Sequence, residues 1–202
     1  NSYSGTTTIN NGTLRVGHAT ALGSDNSKAV TVGASGTLDI SAAVGAKLVS
    51  LNGGAITTTY GGSLSGATTL GANSTLSASS ASTLTLSGIM SGAFAVTKSG
   101  AGTVVLSAAN TYSGGTTISS GILQASTTSS AGSVGALTSG PVGKGSVSIS
   151  NGAALDVYGS ITLGNALSIA GTTSSSTVGA VTNSGSGTST LSGPVTLTAN
   201  TS

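Results

Sequence analysis

The sequence predicts an all-β fold, a right-handed parallel β-helix (β-solenoid) made of tandem modules. Three observations lead there: residues that favour exposed helix are nearly missing, the chain matches itself over long stretches, and its apolar residues alternate in short runs punctuated by glycine. Only 4 % of the 202 residues are charged, against about a quarter in an ordinary domain. Glu is absent, Gln occurs once and Lys+Arg is 5, so few residues suit the solvent face of a helix.

Gly (33), Ser (39) and Thr (33) make up just over half of the chain, a mixture that means either disorder or a repeat. A hydrophobic content of 37 % and a mean hydropathy of +0.35 argue against disorder, because a disordered tract lacks the apolar side chains that offset chain entropy. With no cysteine, disulfides and thiolate metal centres are excluded. No run of about 18 apolar residues occurs, and Asn-Ser-Tyr-Ser-Gly at the N-terminus has no basic region leading into an apolar one. Direct membrane insertion and an export signal are therefore not expected in this chain. Five scattered cations and a net charge of +2 do not make a nucleic-acid surface.

Residues 1–16 (NSYSGTTTINNGTLRV) match 110–125 (NTYSGGTTISSGILQA) without a gap, 9 of 16 being identical, at an offset of 109. The match continues from 30–40 to 147–157 at offset 117, and from 64–74 to 191–201 at offset 127. This divides the chain into module 1 (1–109) and an incomplete module 2 (110–202) of one continuous solenoid, expected to be a slice of a longer array. Insertions between the matching segments belong in surface loops. Period-two runs such as Val30 with Val32, Leu38 with Ile40 and Leu84 with Leu86 read as short strands. The Asn-Gly pairs at 11–12, 52–53 and 151–152 read as tight corners. The matching pairs Ile9/Ile118, Leu14/Leu123, Val30/Val147, Leu38/Leu155, Leu64/Leu191 and Leu70/Leu197 are expected to stack inside. One Phe and no Trp suit a narrow solenoid interior better than a two-sheet sandwich.

Residues 97–125 carry a recognisable pattern: Lys98, Gly100, Gly102 and Thr103, an apolar strand, then Asn110, Tyr112, Gly114, Gly115 and Thr116, then Gly121 and Leu123. The N-terminal segment repeats its second half with Asn1, Tyr3, Gly5, Gly12 and Leu14, and has Thr6 where the second glycine would be. This stretch closely resembles the autotransporter-associated β-strand repeat, or passenger-associated transport repeat. The resemblance implies the β-helical passenger of an exported bacterial surface protein, commonly an adhesin or biofilm component, anchored at the outer membrane through a region outside this chain.

The chemical inventory is short. His18 is the lone histidine, and the acids are Asp25, Asp39 and Asp156. A Ser-His-acid triad needs its base held by a carboxylate, but Thr127 takes the place of His18 in the second copy. Asp39 and Asp156 occupy matching places between apolar residues, so period two points them outward as solvated groups whose loss should cost little. Neither the Gly-Gly-x-Gly-x-Asp calcium repeat nor a phosphate loop at 98–102 or 143–145 is complete. Lys98 reads as a charge at the start of a strand that discourages stray pairing, and Tyr3 and Tyr112 as corner caps packed over the coil.

No catalytic, cofactor-binding or metal residue is expected, and no cofactor. The reading is a non-catalytic structural or adhesive segment, a stiff stalk or filament-forming module at the bacterial cell surface. Its expected partners are further copies of itself end to end and host or matrix glycans, with no nucleic acid. Two alternatives stay open: an ice-binding β-solenoid, from Thr-x-Thr pairs whose uneven spacing tells against one flat array, and a carbohydrate-active β-helix.

Overall fold

Alternating inward and outward side chains need a closed coil to bury the inward set, and the chain supplies one. The computed structural model describes residues 1–131, 136–170 and 179–198. One turn is representative. Thr68–Ala72, Ser74–Ala78 and Thr83–Leu86 each form a flat side, and Met90–Ser91 then returns to pair with Thr68 and Thr69 one level up. The coil is thus a three-sided prism, and the described residues contain no helix.

Pairing along each side is parallel. The first face stacks the opening halves of Thr7–Val16 and Val30–Ile40 with Val49–Asn52, Thr68–Ala72 and Met90–Ser91. The second stacks the closing halves of those two long strands with Ala55–Thr58, Ser74–Ala78, Val96–Ser99, Thr116–Ile118, Val147–Ile149, Leu167–Ala170 and Val195–Thr198. The third runs from Ala43–Val44 through Gly62–Leu64, Thr83–Leu86, Thr103–Leu106, Ile122–Ala125 and Ala154–Val157 to Val181–Thr182. Among the described strands only Ser130–Ala131 and Leu137–Ser139 pair antiparallel, in the excursion between Ile122–Ala125 and Val147–Ile149.

Register places like on like. Leu38, Ile56, Leu76, Lys98, Ile118 and Ile149 form one inward column of the second face, all fully buried. Leu84, Val104, Leu123 and Leu155 form its counterpart on the third face. Each such aliphatic side chain contributes roughly 1.5–3 kcal/mol on burial. Tyr112 is the one aromatic ring among the core residues, while Tyr60, Tyr158 and Phe94 are exposed, as a narrow interior requires.

Two features depart from the sequence-derived stacking. Ile9 and Leu14 lie on the first and second faces, whereas their equivalents Ile118 and Leu123 lie on the second and third. A module is therefore not a whole number of turns, and the second copy is rotated by one face relative to the first. Leu191 and Leu197 are also exposed, at 38 % and 77 %, where Leu64 and Leu70 are buried. Among the described residues their strands pair on one side only.

On the outside of the second face, Thr75, Thr97, Thr117, Ser148, Ser168 and Thr196 occupy one continuous column. The unequal loop lengths that separate these residues in sequence are absorbed at the corners. Their hydroxyls consequently stand about 4.8 Å apart along the coil.

Candidate functional site

The residues of the repeat signature turn inward. Alternation along Val96–Ser99 sends Lys98 to the interior with Val96, and its side chain is wholly buried between Leu76 and Ile118. Its stem is long enough to reach the corner of the turn. There Nζ donates to the carbonyls of Ser99 (2.9 Å) and Gly100 (2.8 Å), and to Ser120 (2.8 Å) on the next turn. This corrects the expectation of an exposed charge at a strand start. Lys98 instead binds two successive corners together from within.

The accompanying glycines make that cage possible. Gly100 and Gly121 have φ of +76° and +65°, a region other residues enter at a cost. A Cβ on Gly121 would stand 2.4 Å from the Gly100 carbonyl oxygen and 2.8 Å from Lys98 Nζ. Gly102 has the Ser79 oxygen 2.1 Å from where a Cβ would be. Thr103 opens the following strand facing outward, and Leu123 is in the core.

The second half of the signature is a seat for the chain's returning excursion. Asn110 is buried; its Oδ1 accepts from the Met90 N–H (2.7 Å) and its Nδ2 donates to the Pro141 carbonyl (2.6 Å). Tyr112 and Thr116 share a hydroxyl hydrogen bond of 2.7 Å, and Thr116 Oγ1 donates to the Val142 carbonyl. The Lys144 N–H donates to the Tyr112 carbonyl (2.8 Å), and Gly143, at φ +75°, lies so close to the ring that a Cβ would meet Cε2 at 2.6 Å. Tyr112 is thus fully buried rather than packed over a corner, and burial drives its phenol pKa well above the ordinary value despite the Thr116 bond. Gly114 allows the turn to approach Phe94, whose carbonyl carbon would lie 2.2 Å from a Cβ there, and Gly115 sits at φ +87°.

The first copy builds the same seat. Asn1 Nδ2 donates to the Ala21 carbonyl, Tyr3 and Thr7 share a 2.6 Å hydroxyl bond, and the Ser24 N–H donates to the Tyr3 carbonyl. Leu22 and Gly23 stand in for Val142 and Gly143. One turn later, Lys47 Nζ donates to the Asp25 carbonyl, and Asn165 Nδ2 to Gly143 and Gly145. Sequence reasoning missed this seat. The signal was an apolar residue before glycine at 22–23 and 142–143, hidden because that pair matches at offset 120 rather than 109 or 117. Gly5 and Gly12 have open space around them, Gly12 at φ +76°, and Leu14 packs partly buried on the core.

Asp39 and Asp156 are also corrected. Each sits on an outer column, yet they are only 2 % and 3 % exposed because neighbouring turns cover them. From the turn below, Arg15 Nε donates to Asp39 (2.8 Å), and Gln124 Nε2 to Asp156 (2.7 Å). From the turn above, the N–H and hydroxyl of Thr59 grip the two oxygens of Asp39, and those of Ser184 grip Asp156. Burial alone would raise both carboxyl pKa values, but these donors hold them below the usual carboxylate range. Each acid therefore fastens three turns.

The two modules differ around that acid. In the first, Arg15 also lies 5.2 Å from the ring centre of the exposed Tyr60. In the second, a cleft of about 350 Å³ opens, lined by Thr103, Ile122, Gln124, Asp156, Thr182 and Ser184. His18 lies apart in an exposed turn with Thr20 as its hydrogen-bond partner. Among the described residues no three His, Asp, Cys or Glu side chains gather as a metal site.

Two pH effects follow. Burial lowers the Lys98 ammonium pKa to about 8 from 10.5, so between those values the unfolded chain holds more protons than the folded one. Stability should rise with pH across that window. Chemical denaturation from pH 7.5 to 10.5 should show the rise, and Lys98→Met should abolish it. The opposite sign holds for the acids: the stability they contribute is present above about pH 4 and is lost as pH falls through their lowered native values. Asp156→Ala should cost about 1–3 kcal/mol at pH 7 by leaving the Ser184 and Gln124 donors unpaired. In Asp156→Asn the acid-induced drop in melting temperature should shrink.

Comparison with known proteins bears on the same residues. No curated protein and no solved structure matches the chain. The family model described as passenger-associated-transport-repeat matches residues 1–16 and 96–125. Those two segments hold the seats of Asn1 and Asn110, and the second also holds the cage of Lys98. The segments that match this repeat model are thus the places where the turns and the excursions are fastened to one another.

Proposed function

We propose that this chain is a passenger segment of an exported, surface-associated bacterial protein, a non-catalytic, stiff β-helical stalk that carries adhesive surfaces for attachment or biofilm at the cell surface; the repeat match and the solenoid support this reading. The observation that supports it is the use of the signature residues. Lys98 joins one turn to the next, Asn110 binds both the turn before it and the excursion, and Tyr112 with Thr116 holds that excursion to the coil. Modules 1–109 and 110–202 then act as one rod, with the excursions at 17–29, 126–131 and 136–146 held on its flanks.

Displaying residues 1–202 on the surface of a non-adherent bacterium through an unrelated anchor tests the reading. Retained attachment to abiotic and glycan-coated surfaces should rise severalfold over the anchor alone. Equal attachment would remove the adhesive role.

One observation favours a second reading. The outward column from Thr75 to Thr196 makes no side-chain hydrogen bond within the protein among the described residues, and it is regularly spaced where the Thr-x-Thr pairs of the sequence are not. An ice-binding solenoid would show thermal hysteresis at millimolar protein, abolished by Thr97→Lys with Thr117→Lys. A stalk would show none.

A further inference from the structure

Among the few charged groups, those at the cleft of the second module are arranged differently from their counterparts in the first. Asp156 is buried, and four donors surround it: Gln124 Nε2, Ser184 N, Ser184 Oγ and, at 3.5 Å, Thr182 Oγ1. Its charge is thereby spent on holding the wall, and no cation is among the described residues that line the cleft. Lining the space are Gln124 and Thr103, whose Oε1 and hydroxyl have no protein partner among the described residues, together with the half-buried aliphatic side chain of Ile122. Period two places Tyr158 on the same outer side as Asp156. The exposed ring stands against Gly185, beside Ser184, 3.2 Å from where a Cβ would be.

We infer that the Gln124–Asp156–Ser184 cleft is a binding subsite for a neutral sugar ring of a glycan chain. A pyranose presents hydroxyl groups on its edge and an apolar C–H face. The cleft offers an amide, hydroxyls and the aliphatic side chain of Ile122, and the exposed Tyr158 ring stands against Gly185, next to the lining Ser184. Its volume of about 350 Å³ lies at the small end of ligand pockets, room for one or two rings. The absence of a lining cation disfavours phosphate and sulfate esters. Asp156 is a positioning residue here, fixing the Gln124 amide so that Oε1 faces outward.

The first module supplies the internal control. Arg15 replaces Gln124, pairs with Asp39 and reaches over Tyr60. Gln124→Arg should therefore set a larger, charged side chain across the cleft while rebuilding the pairing of Arg15 with Asp39, so the fold is kept.

This inference rests on the adhesive reading for its use, but its test is direct binding. The 202-residue protein is titrated with neutral cello-, malto- and chito-oligosaccharides, following the Gln124 side-chain amide and the Thr103 N–H by NMR. Saturable shifts at these groups with at least one sugar are expected. Gln124→Arg should weaken that binding at least tenfold with its melting temperature unchanged or raised. Thr103→Val should weaken it severalfold, and the remote His18→Ala should leave it unchanged. No saturable shift with any sugar overturns the inference, as does equal affinity in Gln124→Arg. If the titration fails while surface-displayed protein still attaches, the subsite alone is lost and the stalk reading stands.

Discussion

Everything in this molecule depends on the parallel backbone ladder, which fixes the rise between turns at about 4.8 Å. That short rise gives each inward position one side chain per level, stacked directly on the one below. Leu38, Ile56, Leu76, Ile118 and Ile149 satisfy it as an aliphatic column. It also brings corner backbones of adjacent turns almost into contact. At Gly66 a Cβ would lie 1.9 Å from the Lys47 oxygen, and at Gly88, 2.0 Å from the Gly66 oxygen. Many of the 33 glycines are thus a consequence of the rise rather than of flexibility.

The same constraint explains how so few charges are used. With the backbone paired along the faces, the groups left over are the carbonyls and N–H groups of the corners, and buried ones must find partners. Lys98 answers three corner carbonyls at once, and Lys47 answers another. Asp39 and Asp156 answer corner N–H groups of the turn above. Burying an ammonium is costly when it has no partner, and the three carbonyl acceptors offset that cost without any counter-charge. A carboxylate partner would have to be buried as well.

Comparison of the two modules shows which parts of this scheme are fixed and which vary. The seat made by Asn1, Tyr3 and Thr7 recurs as Asn110, Tyr112 and Thr116, although the excursion it holds grows by eight residues. The carboxylate fastener recurs with its Thr59 or Ser184 donor, while the donor from below changes from Arg15 to Gln124. A fastener placed on the outer column can vary on its exposed side, and there the two modules acquire different surfaces.

The sequence by itself determined the strand alternation, the glycine corners and the module match, because these are local or follow from repetition. Val30 and Val32, or Leu84 and Leu86, read as inward pairs without any knowledge of their neighbours. What lies between turns was decided by the tertiary structure. Lys98 reads as a surface charge until the register sets it between Leu76 and Ile118 with a corner within reach. Asp39 and Asp156 do point outward, as period two requires. Only the turns above and below, 20 to 32 residues away in sequence, bury them. The rotation of the second module by one face was likewise invisible, since sequence offsets count residues and the coil counts turns whose corners absorb unequal loops.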